Sequence, residues 1–77
     1  RLVEGMQNLS PGASVLLVED VVTTGGSSLR TVKALRDAGL HVALALALVD
    51  RDEGGAEAFA EAGVPFQALY CISEFLA

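Results

Sequence analysis

The sequence is poor in positive charge and in cysteine, and it has no long hydrophobic run. Five Lys and Arg stand against 10 Asp and Glu, a net charge of −5 that argues against a nucleic-acid partner, since nucleic-acid binders need basic patches. The single cysteine, Cys71, excludes an internal disulfide, so we expect a reducing, cytoplasmic compartment. The longest apolar run, Val42–Val49, is too short to span a bilayer, so no membrane partner is expected.

Length and composition set further bounds. Seventy-seven residues allow one small domain at most. A chain of this size buries only about 60–65% of its unfolded surface, which makes independent stability marginal. With 52% apolar, 19% charged and 5% aromatic residues, the composition suits the buried core of an α/β protein.

Apolar runs separated by glycine predict an α/β chain with the order β-α-β-α-β. Strands are predicted at Ser14–Val18, His41–Val49 and Phe66–Ile72, and Arg1–Met6 is predicted as a strand that enters a loop. This order implies right-handed crossovers and a parallel sheet with flanking helices. Three parallel strands with exposed edges are an unusual complete protein, so we expect more sheet elsewhere.

Two helices are predicted between the strands. The first runs to about Ala38 with Ser27 or Ser28 as its N-cap, and Gly39 is expected to end it. Its apolar face is expected to contain Leu29, Val32 and Leu35. The second is predicted over Ala56–Ala62.

The most informative segment is Val15–Ser28. Two acids follow its buried strand, and a turn rich in glycine and hydroxyl groups then opens the first helix. Such a turn favours a phosphate, because backbone N–H groups and a helix N-terminus converge on it. The adjacent carboxylates would repel a bare phosphate but accept hydrogen bonds from sugar hydroxyls. The segment therefore indicates a sugar phosphate; its residues are Glu19, Asp20, Val21, Val22, Thr23, Thr24, Gly25, Gly26 and Ser27.

Other interpretations explain less of this segment. An ordinary βα loop with a serine cap explains the glycines and serines but not the adjacent acids. A P-loop is excluded because no Lys follows the glycines, and the dinucleotide fingerprint G-x-G-x-x-G is absent.

Val15–Ser28 resembles the phosphoribosyl pyrophosphate (PRPP) signature of the type I phosphoribosyltransferases. The run Val49–Gly55 resembles the orotate-specific branch, the orotate phosphoribosyltransferases, and Arg1–Gly5 is similar to the strand after their mobile catalytic loop. The resemblance implies that residues 1–77 are a single partial domain, the C-terminal part of a type I phosphoribosyltransferase fold. The chain does not begin with Met, and we therefore expect a fragment.

The resemblance also implies an activity: transfer of the 5-phosphoribosyl group from PRPP to orotate, giving orotidine 5′-monophosphate and pyrophosphate in pyrimidine biosynthesis. Glu19 and Asp20 would bind the ribose hydroxyls and favour the developing positive charge on the sugar. The segment Val21–Ser27 would bind PRPP, and within it Thr23 to Ser27 would hold the 5′-phosphate. Thr23 and Arg51 would bind orotate.

Several partners follow from the same resemblance. Mg²⁺ is expected to be held mainly through PRPP, with no metal ligands from the protein. A homodimer is expected for the full-length enzyme, and the resemblance implies a catalytic loop upstream of this sequence. Taken as an isolated D-R-D-E run, the loop favours a surface arginine, with Arg51 balanced by Asp50, Asp52 and Glu53. Its position after a buried strand at the ligand edge of the sheet favours the orotate role instead. The open alternatives are a purine or uracil phosphoribosyltransferase, a non-catalytic PRPP-sensing regulator, and a generic α/β nucleotide binder.

Overall fold

The computed structural model describes residues 1–4 and 12–72 of the chain. Within these residues, none of the helices is both long and apolar enough to cross a membrane. The elements, in chain order, are β1 (Leu2–Glu4), β2 (Ser14–Val22), α1 (Gly26–Asp37), β3 (His41–Asp50), α2 (Gly55–Glu61) and β4 (Phe66–Cys71).

The four strands form one sheet in the order β1-β2-β3-β4. Strands β2, β3 and β4 run parallel, which confirms the predicted β-α-β-α-β order. Strand β1 pairs antiparallel with β2, with Val3 opposite Leu17, so the sheet is only partly parallel. Only nine residues separate Glu4 from Ser14, whereas a parallel crossover needs about a dozen or more. Gly5 and Met6, the end of the predicted first strand, lie outside the described residues.

Both helices pack on the same face of the sheet and close the core there. The Arg36 guanidinium on α1 donates a hydrogen bond to the carbonyl of Ala62 after α2, at 2.9 Å. Val32 and Leu35 are buried as predicted from their spacing. Phe59 of α2 is fully buried, and its ring stacks on that of Phe66 at 4.7 Å between centroids. The core therefore fixes α1 and α2 relative to the carboxyl ends of β2 and β3.

Strand β2 is longer than its apolar run predicts. Pairing with β3 continues through Val21 opposite Val49 and Val22 opposite Asp50, so Glu19 and Asp20 belong to the strand. Their charges are tolerated there because Asp20 is exposed and the buried Glu19 has hydrogen-bond partners.

The predicted N-cap of α1 is wrong. Helix α1 begins one residue after Gly25, which is the N-cap with φ +87° and no side-chain cap. Ser27 and Ser28 therefore lie inside the first turn, where Ser28 bonds Glu19 instead of the backbone. The other end is as expected, since α1 stops at Asp37 and Gly39 has φ +82°.

Candidate functional site

The turn between β2 and α1, which we call the cradle, places the N-terminus of a helix at the carboxyl end of β2. The chain leaves β2 at Val22, and Gly25 adopts the left-handed conformation that points the chain into α1. The first α-helical hydrogen bond runs from the N–H of Leu29 to the carbonyl of Gly25 at 2.8 Å, so the earlier N–H groups have no intrahelical partner. No acidic residue lies in this first turn. The N–H of Gly26 donates to Thr24 Oγ1 at 3.4 Å, and the N–H groups that follow it can face a negative group.

A cavity of about 110 Å³ lies between this turn and β2. It brings the buried acid of the sequence motif together with the residues of the turn, as a sugar-phosphate site requires. Asp20 follows Glu19 in the strand, so it points to the opposite face and is exposed. The cavity is lined by Glu19, Val21, Val22, Thr23, Gly25, Ser27 and Ser28.

Glu19 is held from two sides. The Ser28 hydroxyl donates to Oε2 at 2.8 Å, and Arg1 Nε donates to Oε1 at 2.7 Å. Burial acts to raise the pKa of Glu19, but the hydrogen bonds from Arg1 and Ser28 and the charge of Arg1 outweigh it, so the pKa lies below its ordinary value of 4.5. Glu19 is therefore an ionised, oriented acceptor at neutral pH.

Arg1 joins the acid to the cradle. Its Nη2 donates to the Ser27 hydroxyl at 2.5 Å and lies 3.4 Å from Glu19 Oε2. The local sequence pattern around Arg1 predicts no role for it in the site. No spacing rule could have found it, because the contact depends on the antiparallel pairing of β1 with β2.

The loop after β3 lies against the same turn. The N–H of Arg51 donates to the carbonyl of Val22 at 2.9 Å, which ties the two loops together at the sheet edge. The Arg51 side chain is exposed and its Nε pairs with Glu53 at 3.2 Å. The structure therefore places Arg51 next to the predicted PRPP segment, with its guanidinium in solvent.

Asp50 shapes this loop. It is 4% exposed, and its Oδ1 accepts the N–H of Asp52 at 2.9 Å. Such a bond stabilises a tight turn, and Asp52 accordingly adopts φ +57°. The turn determines the direction in which Arg51 leaves β3.

A larger cavity of about 210 Å³ lies beyond Asp50. Three carboxylates contribute to its lining, so it is a poorer site for a phosphate than the cradle despite its size. Among the described residues, ligand atoms of Asp50, Asp52 and Cys71 lie within 4.8 Å of one another, a grouping that sequence analysis does not predict. A thiol is an unsuitable ligand for Mg²⁺, which prefers oxygen. The cavity is lined by Asp50, Asp52, Gly54, Gly55, Ala56 and Glu57.

Comparison with curated proteins finds close relatives for most of the chain, although no protein-family model matches it. An orotate phosphoribosyltransferase of Rhodopseudomonas palustris (strain BisB5) is 55% identical over 65 residues, which is 84% of this chain and 35% of that protein. One of Sorangium cellulosum is 53% identical over 76 residues, covering 99% of this chain and 40% of that protein. The chain thus spans well under half the length of these relatives.

Solved structures with the same fold carry related names. The orotate phosphoribosyltransferase of Aeropyrum pernix superposes with a TM-score of 0.78 at 40% identity, covering 82% of this chain and 38% of that one. The enzyme of Mycobacterium tuberculosis H37Rv in complex with PRPP gives a TM-score of 0.78 at 32% identity, covering 92% and 44%. The chain therefore belongs to the orotate phosphoribosyltransferase family and corresponds to a C-terminal part of its members.

Proposed function

We propose that the protein is an orotate phosphoribosyltransferase, which transfers the 5-phosphoribosyl group of PRPP to orotate in the biosynthesis of pyrimidine nucleotides. The single observation that carries the proposal is the cavity that Glu19 shares with four residues of the turn and the first helical turn: Thr23, Gly25, Ser27 and Ser28. One cavity thus offers a carboxylate for sugar hydroxyls beside N–H groups for a phosphate. The PRPP-bound relative from Mycobacterium tuberculosis supports this choice of ligand.

In this proposal the 5′-phosphate sits at the N-terminus of α1. Backbone N–H groups and the exposed hydroxyls of Thr23, Thr24 and Ser27 would hold it. Gly25 and Gly26 allow the phosphate to approach the backbone closely. Val22 is 2% exposed, so it could contribute only its backbone.

The ribose lies over the carboxyl end of β2. Glu19 accepts a hydroxyl from within the cavity, and Asp20 accepts one from the exposed side of the same strand end. When the bond from C1 to pyrophosphate breaks, positive charge develops on the sugar ring, and the two fixed carboxylates stabilise it. The electron pair of that bond leaves with pyrophosphate. A ring nitrogen of orotate supplies the electron pair of the new bond to C1, and the proton of that N–H is released to solvent.

Orotate would be bound by Arg51, with Thr23 as a further contact. The present ion pair of Arg51 with Glu53 is exposed, and such pairs contribute only about 0–1 kcal/mol. Arg51 can therefore exchange Glu53 for the carboxylate of orotate at little cost. A guanidinium binds a carboxylate through two parallel hydrogen bonds, which explains the choice of arginine.

Mg²⁺ fits this site only through its substrate. The oxygens of Glu19 accept hydrogen bonds from Arg1 and Ser28, and this proposal assigns their remaining acceptor capacity to a ribose hydroxyl, which leaves the oxygens of PRPP as the main ligands. When bound, Mg²⁺ would neutralise the charge that develops on pyrophosphate. A homodimer and a cytoplasmic location complete the proposal.

Titration calorimetry of the full-length protein with PRPP and with ATP tests this function. We expect PRPP to bind and ATP to bind at least tenfold more weakly, because ATP has no free 5′-phosphate beside its ribose hydroxyls. Conversion of orotate in the presence of PRPP and Mg²⁺, followed by absorbance, tests the reaction itself. A preference for ATP would contradict the proposal, and PRPP binding without turnover would favour a PRPP-sensing regulator.

A further inference from the structure

We propose that Arg1 is a positioning residue of the ribose 5-phosphate site, one that holds Glu19 in place and brings positive charge to the phosphate cradle. The inference rests on the proposed function and deepens it. It stands on three contacts of one guanidinium with two groups of the same cavity.

The cradle needs a cation. A sugar phosphate carries nearly two negative charges, and it would lie beside the ionised Glu19. The turn residues Thr23 to Ser27 contain no Lys or Arg. Helix N–H groups supply only about half a positive charge. A neighbouring guanidinium therefore has a clear electrostatic role.

Arg1 has the required geometry. Its Nε and Nη2 bond the two oxygens of Glu19, so the carboxylate cannot rotate freely. The same Nη2 bonds the hydroxyl of Ser27, one of the groups proposed to receive the phosphate. A phosphate seated against Ser27 would thus lie within reach of the guanidinium. The Arg1 side chain is 37% exposed, which leaves it open to a ligand.

Ser28 completes the arrangement from the other side. It is 3% exposed and donates to Glu19 at 2.8 Å. Arg1, which directly precedes β1, and Ser28, which lies on α1, together fix both oxygens of the acid. Arg1 differs from Ser28 in adding charge, so the two residues can be separated by experiment.

A second arginine provides a matched control. The Nη1 of Arg30 lies 3.8 Å from the point that a Cβ on Gly26 would occupy, so it is near the turn. The Arg30 side chain is exposed and lies on α1 rather than between Glu19 and Ser27. Replacing either arginine with Gln removes one charge, but only Arg1→Gln removes the bridge.

The experiment measures binding to the full-length protein by calorimetry, with ribose 5-phosphate, PRPP, pyrophosphate and orotate as probes. We expect Arg1→Gln to weaken ribose 5-phosphate and PRPP by about tenfold or more, the effect typical of a lost charged hydrogen bond. Pyrophosphate and orotate should bind as in the wild type. Arg1→Lys should recover part of the loss, and Arg30→Gln should cost less than about threefold.

The outcomes separate this inference from the proposed function. If the wild type binds PRPP and Arg1→Gln binds it equally well, Arg1 has no role and the inference fails alone. An equal loss in Arg30→Gln, or a loss seen for pyrophosphate but not for ribose 5-phosphate, would also overturn it. If the wild type binds neither PRPP nor ribose 5-phosphate, the proposed function itself fails. Circular dichroism of each variant verifies that the protein is folded.

Discussion

Gly25 and Gly55 pack directly against each other. A Cβ on Gly25 would lie 3.4 Å from the Cα of Gly55, so the turn after β2 touches the start of α2. This contact, together with the hydrogen bond from Arg51 to Val22, joins the predicted PRPP turn to the predicted orotate loop. The two halves of the predicted site are therefore held together by backbone contacts rather than by long side chains.

The first prediction concerns that contact. In Gly55→Ala, the new Cβ would lie 2.5 Å from Val22 Cγ1 and 2.8 Å from the carbonyl oxygen of Thr23. Both distances are shorter than real contacts, and one neighbour is backbone, so the turn must shift. We expect a loss of about 1–3 kcal/mol in the free energy of unfolding, measured by urea denaturation.

Gly26→Ala is the matched control for stability. Its Cβ would meet Thr24 Oγ1 at 3.6 Å, an ordinary contact, and Gly26 lies in the first turn of α1. Because Ala favours helix over Gly, this variant should be neutral or more stable by up to about 1 kcal/mol. Equal destabilisation of both variants would refute the packing argument.

The second prediction concerns the buried acid. Glu19→Gln keeps the shape of the side chain but removes its charge and one acceptor, so we expect PRPP affinity to fall by about tenfold or more. Ser28→Ala should cost less, because Arg1 still holds the carboxylate. Calorimetric dissociation constants for PRPP give the ranking. A larger loss of PRPP affinity in Ser28→Ala than in Glu19→Gln would contradict this prediction, because it would assign the main contribution to binding to Ser28 on α1 rather than to the carboxylate.

The third prediction concerns pH. The pKa of Glu19 is lower in the folded protein than its ordinary value of 4.5, so the ionised form stabilises the fold. That contribution is complete above about pH 5 and is lost as the pH falls through the lowered pKa. Unfolding by urea between pH 7 and pH 3 should therefore show a steeper loss of stability in the wild type than in Glu19→Gln. If the free energy of unfolding fell equally with pH in the wild type and in Glu19→Gln, the lowered pKa of Glu19 would be contradicted.

The fourth prediction concerns the base. Arg51→Ala should raise the KM for orotate by about tenfold or more and leave the affinity for PRPP nearly unchanged, since only the orotate contact is removed. Glu53→Ala is the matched variant, because it releases Arg51 from its exposed ion pair. It should leave the KM for orotate unchanged or lower it slightly. Unaltered orotate kinetics in Arg51→Ala would exclude Arg51 and reopen the choice of base.

The local features of the site follow from the sequence by itself. The apolar run and the glycines that follow it predict the β2–turn–α1 unit. Helical spacing predicts the burial of Val32 and Leu35, and Gly39 marks the end of α1. These features depend on residues a few positions apart, and short-range sterics and hydrophobic spacing fix them. The pairing of acids with a phosphate turn is likewise local.

Only the tertiary structure decided which partners the site residues have. Arg1 reaches Glu19 across 18 positions of sequence because β1 pairs antiparallel with β2. Gly55 meets Val22 and Thr23 because parallel strands bring the two loops to one edge. Such contacts depend on strand register and helix packing, which involve the whole core, and no local pattern of residues encodes them.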